Sequence, residues 1–342
     1  MSAADLLISA INWEYLFGLI PEGGDVIIMK ESTRIMLKKH GWRVDRFVHN
    51  YFYFLFYYPY VKILSGFVQS LKYLTWCKPI IFAGKMIFNR YHSKVLSHGD
   101  TRKIFTLNED VRVISDDNKQ IIPYKYATRI IFQEPEFIAV MDCPCKKSTG
   151  AAAEDINSCI AVGRSVASFW LEHCSKYNPR KITQAEALSI INRFRKTGHI
   201  TQAFFKVATG GNTGVICNCH PDTCVSLQAT RLARRIDKSL SMTAESGYSV
   251  RHNADLCSGC RKCEQICRFG AIIFKDEQRL YDSSQCLGCE LCVQHCFGGA
   301  LSLYIDPGKP LPLDLDMIRN RADRPAEDDL AQISIKKEGY HD

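Results

Sequence analysis

The apolar and polar positions along the chain change period several times, and the middle third shows this most clearly. In residues 121–150, IIPYKYATRIIFQEPEFIAVMDCPCKKSTG, the run FIAVM predicts a short strand that ends at Cys143-Pro144-Cys145. In residues 214–224, GVICNCHPDTC, a β-prone Val-Ile pair predicts a second strand that ends at Cys217-Asn218-Cys219, with Cys224 following. Between them, Ile156, Ile160, Val166, Phe169 and Trp170 follow a mostly helical period and predict a helix over 154–177. Cys159 would lie near its start, where the helix dipole favours a thiolate. A second helix opens at Thr183 with a capping box to Glu186, carries Leu188, Ile191 and Phe194 on one face, and stops at Gly198. A third is expected over 224–238. If the two strands lie side by side, four to five thiols converge at one end of a sheet.

The N-terminal pattern is of another kind. Eight of the ten residues from Tyr51 to Tyr60 are aromatic, and residues 47–61 contain no Asp, Glu, Lys or Arg. Pro59 interrupts a helix through the segment, and Lys62 ends the uncharged run, which is short of the roughly 20 apolar residues a spanning helix needs. Three readings of residues 47–76 stand side by side: an interfacial contact with a membrane, a docking surface for a partner subunit, and an aromatic helical core with a solvated basic face. After Asp306 the chain becomes Pro-rich and then charged, without a repeated apolar period, and is expected to be an extended tail over 306–342.

Composition narrows the field. At 342 residues, 46% hydrophobic and 23% charged, the chain has the make-up of a globular protein of two or three domains. Net charge is +8, but residues 28–104 alone hold fourteen Lys/Arg against three Asp/Glu, so the excess is local and points to an anionic surface as partner. Sixteen cysteines without a signal-peptide pattern point to a reducing compartment and metal ligation rather than disulfides. The expected location is cytoplasmic, peripheral at the inner face of a membrane. No dinucleotide or P-loop glycine pattern is present, and no nucleic-acid motif accompanies the charge, so neither nucleotide nor nucleic acid is expected as partner.

The most specific chemistry lies near the C-terminus. CSGCRKCEQICRFGAI carries Cys257, Cys260, Cys263 and Cys267, and CLGCELCVQHCFGGAL carries Cys286, Cys289, Cys292 and Cys296. Both read C-x2-C-x2-C-x3-C, and Gly259/Gly288 and Gly270/Gly299 keep the same register. Over roughly 250–305 the chain resembles the bacterial dicluster ferredoxin family. The resemblance implies two [4Fe–4S] clusters, because the first three cysteines of a run hold one cluster and the fourth reaches the other. The implied sets are Cys257, Cys260, Cys263 with Cys296, and Cys286, Cys289, Cys292 with Cys267. The family's usual proline after the fourth cysteine is Arg268 in one run and Phe297 in the other. Zinc, the competing metal, favours paired C-x2-C knuckles over four cysteines per run.

Upstream, the order I-P-Y, I-A-V-x-x-C-x-C followed by a basic residue, a helical cysteine, an E-A helix and I-C-N-C resembles a group of iron–sulfur redox proteins over roughly 120–240. It implies another metal site, with Cys143, Cys145, Cys159, Cys217, Cys219 and Cys224 as candidate ligands. A further Fe–S cluster, a zinc site and no metal all stay open there, and His220 is a possible substitute ligand. Cys174 and Cys77 read as small buried residues.

The expected fold class is α+β. A helical aromatic and basic region (1–105) and an α+β cysteine-rich domain (106–245) precede a (βαβ)2 ferredoxin-like domain (246–305) and the tail (306–342). The expected function is electron transfer, as a subunit of a redox complex with a redox partner protein or other oxidoreductase subunits. A reductase whose upstream metal site is catalytic and fed by the ferredoxin domain is the alternative.

Overall fold

The structure is a computed structural model that describes residues 20–21, 27–28, 30–40, 44–71, 73, 91–114, 118–122, 129–206, 214–236 and 241–322. A two-residue antiparallel pair, Ile20–Pro21 with Ile27–Ile28, precedes three helices, α1 (Glu31–His40), α2 (Val44–Leu55) and α3 (Tyr57–Leu71). They lead to β1 (Tyr91–Val95), α4 (His98–Ile104) and the antiparallel pair β2 (Val111–Ile114) and β3 (Arg129–Phe132). The middle of the chain forms β4 (Ile138–Asp142), α5 (Pro144–Ser148), α6 (Ala153–Ile156), β5 (Asn157–Val162) and α7 (Arg164–His173). It continues through β6 (Arg180–Ile182), α8 (Gln184–Lys196), β7 (Ile200–Lys206), β8 (Val215–Cys219), α9 (Val225–Ile236) and β9 (Thr243–Ala244). The last part holds β10 (Tyr248–His252), α10 (Lys262–Ile266), β11 (Ile272–Lys275), β12 (Gln278–Tyr281), α11 (Leu291–Gln294), β13 (Leu301–Ile305) and α12 (Leu315–Ala322).

Seven strands make one sheet in the order β9-β1-β7-β8-β5-β4-β6, antiparallel except for β9 against β1. Its two faces follow from the period-2 alternation of side chains. Ile138, Val140, Ile160, Ala203, Phe205 and Ile216 face one layer, where α8 supplies Ala187, Ile191 and Phe194. Ala139, Met141, Cys159, Ala161, Phe204, Val215 and Cys217 face the other, covered by α7 and the N-terminal helices. β1, from the region that charge groups with the N-terminus, is thus a strand of the central sheet.

The aromatic segment divides between these environments. Phe47, Tyr51, Tyr53, Phe54, Tyr57, Val61 and Leu64 are buried in the core beneath the sheet. Tyr51 meets the Phe169 ring edge-on at 5.3 Å, and its hydroxyl lies 3.2 Å from His173 Nδ1. Each such burial contributes about 1.5–3 kcal/mol. Phe52, Phe56, Tyr60 and Ile63 are exposed and recur at near-helical spacing. Pro59 falls in the first turn of α3, where its missing N–H leaves no bond unmade.

Three expectations are corrected. The helix expected over 154–177 is α6, then strand β5, then α7. Residues 158–162 are buried on both faces, which suits a central strand, and Gly163 at φ +91° turns the chain into α7. The strands carrying the two C-x-C motifs are not neighbours, because β5 lies between them. The tail is not wholly extended: Leu313, Leu315 and Ile318 are buried, and Lys103 bridges Asp314 at 2.7 Å and Asp316 at 2.6 Å. The other expected helices form, with Thr183 Oγ1 accepting from Glu186 N at 3.1 Å and Gly198 at φ +83° ending α8. Cys77 lies outside the described residues.

Candidate metal centres

Three cavities lined by thiols stand in a row. The first, about 590 Å3, is lined by Cys257, Cys260, Cys263 and Cys296. The second, about 450 Å3, is lined by Cys267, Cys286, Cys289 and Cys292. The fourth cysteine of each run therefore crosses to the other run's cavity. The cause is local: each run curls through two left-handed residues, Gly259 and Arg261 in one and Gly288 and Glu290 in the other, before α10 or α11 begins. The short helix then carries the fourth cysteine away from the first three.

The curled loops also aim backbone N–H groups at sulfur. Gly288 N donates to Cys286 Sγ at 3.3 Å. The N–H of Lys262 holds the Cys260 thiol below its ordinary value, which is the polarity a thiolate ligand requires. Burial acts the other way in the second cavity, pushing Cys289 up to about 12 and Cys292 higher still. Both cavities share one small core, in which Cys263, Cys267 and Cys296 pack around Ala271, Ile272 and Leu301.

The third cavity, about 460 Å3, is lined by all six upstream candidates, Cys143, Cys145, Cys159, Cys217, Cys219 and Cys224, with Lys146 and His220. A C-x-C inside a strand puts both thiols on one face, so Cys217 and Cys219 point together out of β8. Cys159 is the register partner of Cys217 across the β5–β8 ladder, and their sulfurs lie 3.5 Å apart. Cys143 follows β4 as the N-cap of α5, and Cys145 lies in α5. Contacts run along the row Cys145–Cys143–Cys159–Cys217–Cys219–Cys224. Hydrogen bonds from Cys145 and Cys159 hold the Cys143 thiol well below its ordinary value, while contacts with Cys143 and Cys217 raise Cys159. Sequence reasoning placed Cys159 in the group by the wrong element, and missed Lys146 and the lid over the cavity, formed by Tyr57, Val61 and Leu64 of α3.

Lys146 is buried, donates to Asp155 O at 2.8 Å, and sits 4.0 Å over the Phe194 ring. A buried ammonium beside six thiols suits an anionic occupant. His220 faces His199 at 5.0 Å between rings, and burial keeps His199 neutral, at about 3. Among the described residues no group of His, Cys, Asp or Glu is set to hold a single metal ion; the thiols ring cavities instead. The donor set fits iron–sulfur clusters in kind and number at the first two cavities, and exceeds one cubane's four thiolates at the third. Cys174, wholly buried beneath α7, lines none of the three.

The second and third cavities share a wall. Ile200 lines the second, and its partner across the β7–β8 ladder is Cys219, which lines the third. Arg195, buried in α8, ties the two parts together by donating to Cys289 O at 2.7 Å and to Gln294 Oε1 at 2.8 Å.

The family model of the 4Fe-4S dicluster domain matches residues 249–297, so this part of the chain is a ferredoxin-type dicluster domain, with iron–sulfur electron transfer as its chemistry. No curated protein and no solved structure matches the chain. Among the described residues no helix is long and apolar enough to cross a membrane.

Proposed function

We propose that the chain is an electron-transfer subunit of a redox complex, with two [4Fe–4S] clusters in the dicluster domain and a further Fe–S cluster held by the upstream thiols. Cys257, Cys260, Cys263 and Cys296 form the first ligand set, and Cys267, Cys286, Cys289 and Cys292 the second. Cys143, Cys145, Cys159, Cys217, Cys219 and Cys224 supply the third. Bound clusters provide one-electron carriers over a wide range of potential. The protein's own residues do the rest. Lys146 offsets thiolate charge, Arg195 fixes the second loop against the sheet, and α3 closes the upstream cavity to water.

The observation that carries this reading is the shared wall, where one ladder step from Ile200 to Cys219 separates the second cavity from the third. Iron and sulfide analysis of anaerobically purified protein tests it. The expected content is above the roughly 8 Fe of two cubanes, at about 12 for three. Cys159→Ser with Cys217→Ser should return it to about 8. Wild-type protein at about 8 Fe sinks the third cluster, and protein without iron sinks the whole reading.

We also propose that the exposed stripe Phe52, Phe56, Tyr60 and Ile63, with Lys62 beside it, contacts an anionic membrane surface, the inner face of a membrane in a reducing compartment. Flotation with anionic liposomes at low salt should be lost in the combined Phe56→Ser and Ile63→Ser variant. Absence of flotation by the wild-type chain removes the assignment.

A further inference from the structure

We infer that the mouth of the first dicluster cavity is the docking surface for an acidic one-electron carrier protein, an inference that rests on the electron-transfer reading above. The cavity opens beside Cys260, which is exposed, whereas the second is closed off by the sheet and by Leu287 and Leu291. Its charged lining is cationic: Arg261, Lys262 and Arg279 border it, His252 and His295 complete the polar side, and no Asp or Glu lines it. Nearby carboxylates are placed elsewhere. Glu264 accepts from Phe274 N at 2.8 Å, and Asp255 lies in the turn before the first cysteine without reaching the cavity.

Inside this ring of charge lies an apolar centre. Phe297 is 82% exposed and Leu256 52% exposed, and both line the mouth. Lys262 Nζ sits 4.0 Å over the Phe297 ring, so cation and aromatic form one surface. An apolar centre with a charged rim of one sign is the form of a transient interface: the rim steers and orients, and the small centre excludes water without holding the partner long. The family's usual proline at 297 would offer no aromatic ring and so no cation–π partner. A basic rim selects a partner of opposite charge, and a partner that must exchange electrons here is itself a carrier, so the surface fits an acidic redox protein.

Stopped-flow reduction of the anaerobic, iron-loaded full chain by reduced flavodoxin, used as an acidic one-electron probe, tests the inference. The wild-type second-order rate should fall at least tenfold as ionic strength rises from about 0.01 to 0.5 M, as the Debye length shrinks from about 30 Å to under 10 Å. Arg261→Glu with Lys262→Glu should slow reduction at least tenfold at low salt and abolish or invert the salt response. Lys262→Gln alone should show a smaller change of the same sign. Arg193→Glu, a charge reversal on the exposed face of α8, should leave the rate unaltered.

Equal slowing by Arg193→Glu would make the effect one of net charge and overturn the docking site. So would a rate or salt response that charge reversal leaves intact, or competition for the mouth by anionic vesicles with no flavodoxin effect. Iron content separates the two levels. Wild-type protein lacking the irons of two cubanes fails the electron-transfer reading, while loaded protein indifferent to the rim charges fails only the docking site. Should the double variant lose iron, Lys262→Gln decides, since an unaltered salt response in that loaded variant also overturns the site.

Discussion

Cys260 and Cys289 hold equivalent places in the two cysteine runs, yet one thiol is exposed and held below its ordinary value while the other is half-buried and pushed up by desolvation to about 12. The runs share spacing, left-handed positions and a short helix that begins one residue before the third cysteine. They differ in what lies outside them. The first run faces solvent through a cationic, aromatic mouth; the second is pressed on the central sheet by Ile200, Leu287 and Leu291 and pinned by Arg195. A repeated motif thus builds the thiol cage twice, and the neighbours decide which cage faces solvent and which faces the interior. Charge and exposure around a cluster tune its potential, so the two cages are built to be unequal.

The largest effect that separates them is steric. Gly259 and Gly288 both adopt φ +66°, but a methyl group at 259 meets nothing within 4 Å, while one at 288 would fall 2.1 Å from Ser246 Oγ and 2.4 Å from Tyr248 O. Gly259→Ala should therefore cost only the left-handed backbone penalty, about 1–2 kcal/mol. Gly288→Ala adds a clash with backbone and should cost more than about 4 kcal/mol, the range of severe core lesions. Thermal melting of the two variants under anaerobic conditions checks this. Equal losses would mean that the second loop is not seated as the structure has it.

The next effect tests the crossing of the fourth cysteines. Cys267 belongs to the first run but lines the second cavity, and Cys296 does the reverse. Cys267→Ser should alter the EPR signal of the centre shielded from water-borne relaxing agents, and Cys296→Ser that of the accessible one. Each should leave the other's signal in place. The opposite assignment would sink the crossed sets.

The comparison also marks what the amino-acid sequence could and could not reveal. The cage was legible because cysteine spacing is a local property: three thiols and two left-handed residues need no tertiary context. The six-thiol cavity was half legible. Alternation in VICNC puts Cys217 and Cys219 on one face from local geometry alone, but Cys159 joins them only through the β5–β8 ladder, a pairing of residues 58 apart. Its strand was hidden because Ile156, Ile160 and Val166 imitate a helical period, while burial on both faces, which decides for a strand, is a tertiary fact. Within Tyr51–Tyr60, composition could not tell Tyr51 and Phe54, which are core, from Phe52 and Phe56, which are surface, until α7 was in place to cover one side.

The last effect lies in the response to pH of two groups packed beside the buried run. Tyr248, against which that run is seated, donates to Asp100 Oδ1 at 3.2 Å, and Glu290 of the run accepts from His98 N. Burial raises the Asp100 carboxyl from its ordinary 3.8 to about 6 and lowers the Lys94 ammonium, which donates to Glu245 O at 2.9 Å, from 10.5 to about 7. For Asp100 the folded chain binds more protons than the unfolded one between about pH 4 and 6, so stability falls as pH rises through that window. For Lys94 the unfolded chain binds more protons between about pH 7 and 10.5, so stability climbs with pH there. His199 and His173, held neutral by burial at about 3 and about 4, add stability that climbs with pH up to about 6.5, so the signature of Asp100 and Lys94 is the difference between each variant and the wild-type chain. Denaturation midpoints measured from pH 4.5 to 9.5 should show it. Asp100→Asn should flatten the acid limb, by at most about 3 kcal/mol at roughly 1.4 kcal/mol per unit, and Lys94→Met the alkaline limb. If both variants keep the wild-type profile, these groups are not enclosed beside the second run, and the contrast between a sealed cage and an open one loses its titratable signature.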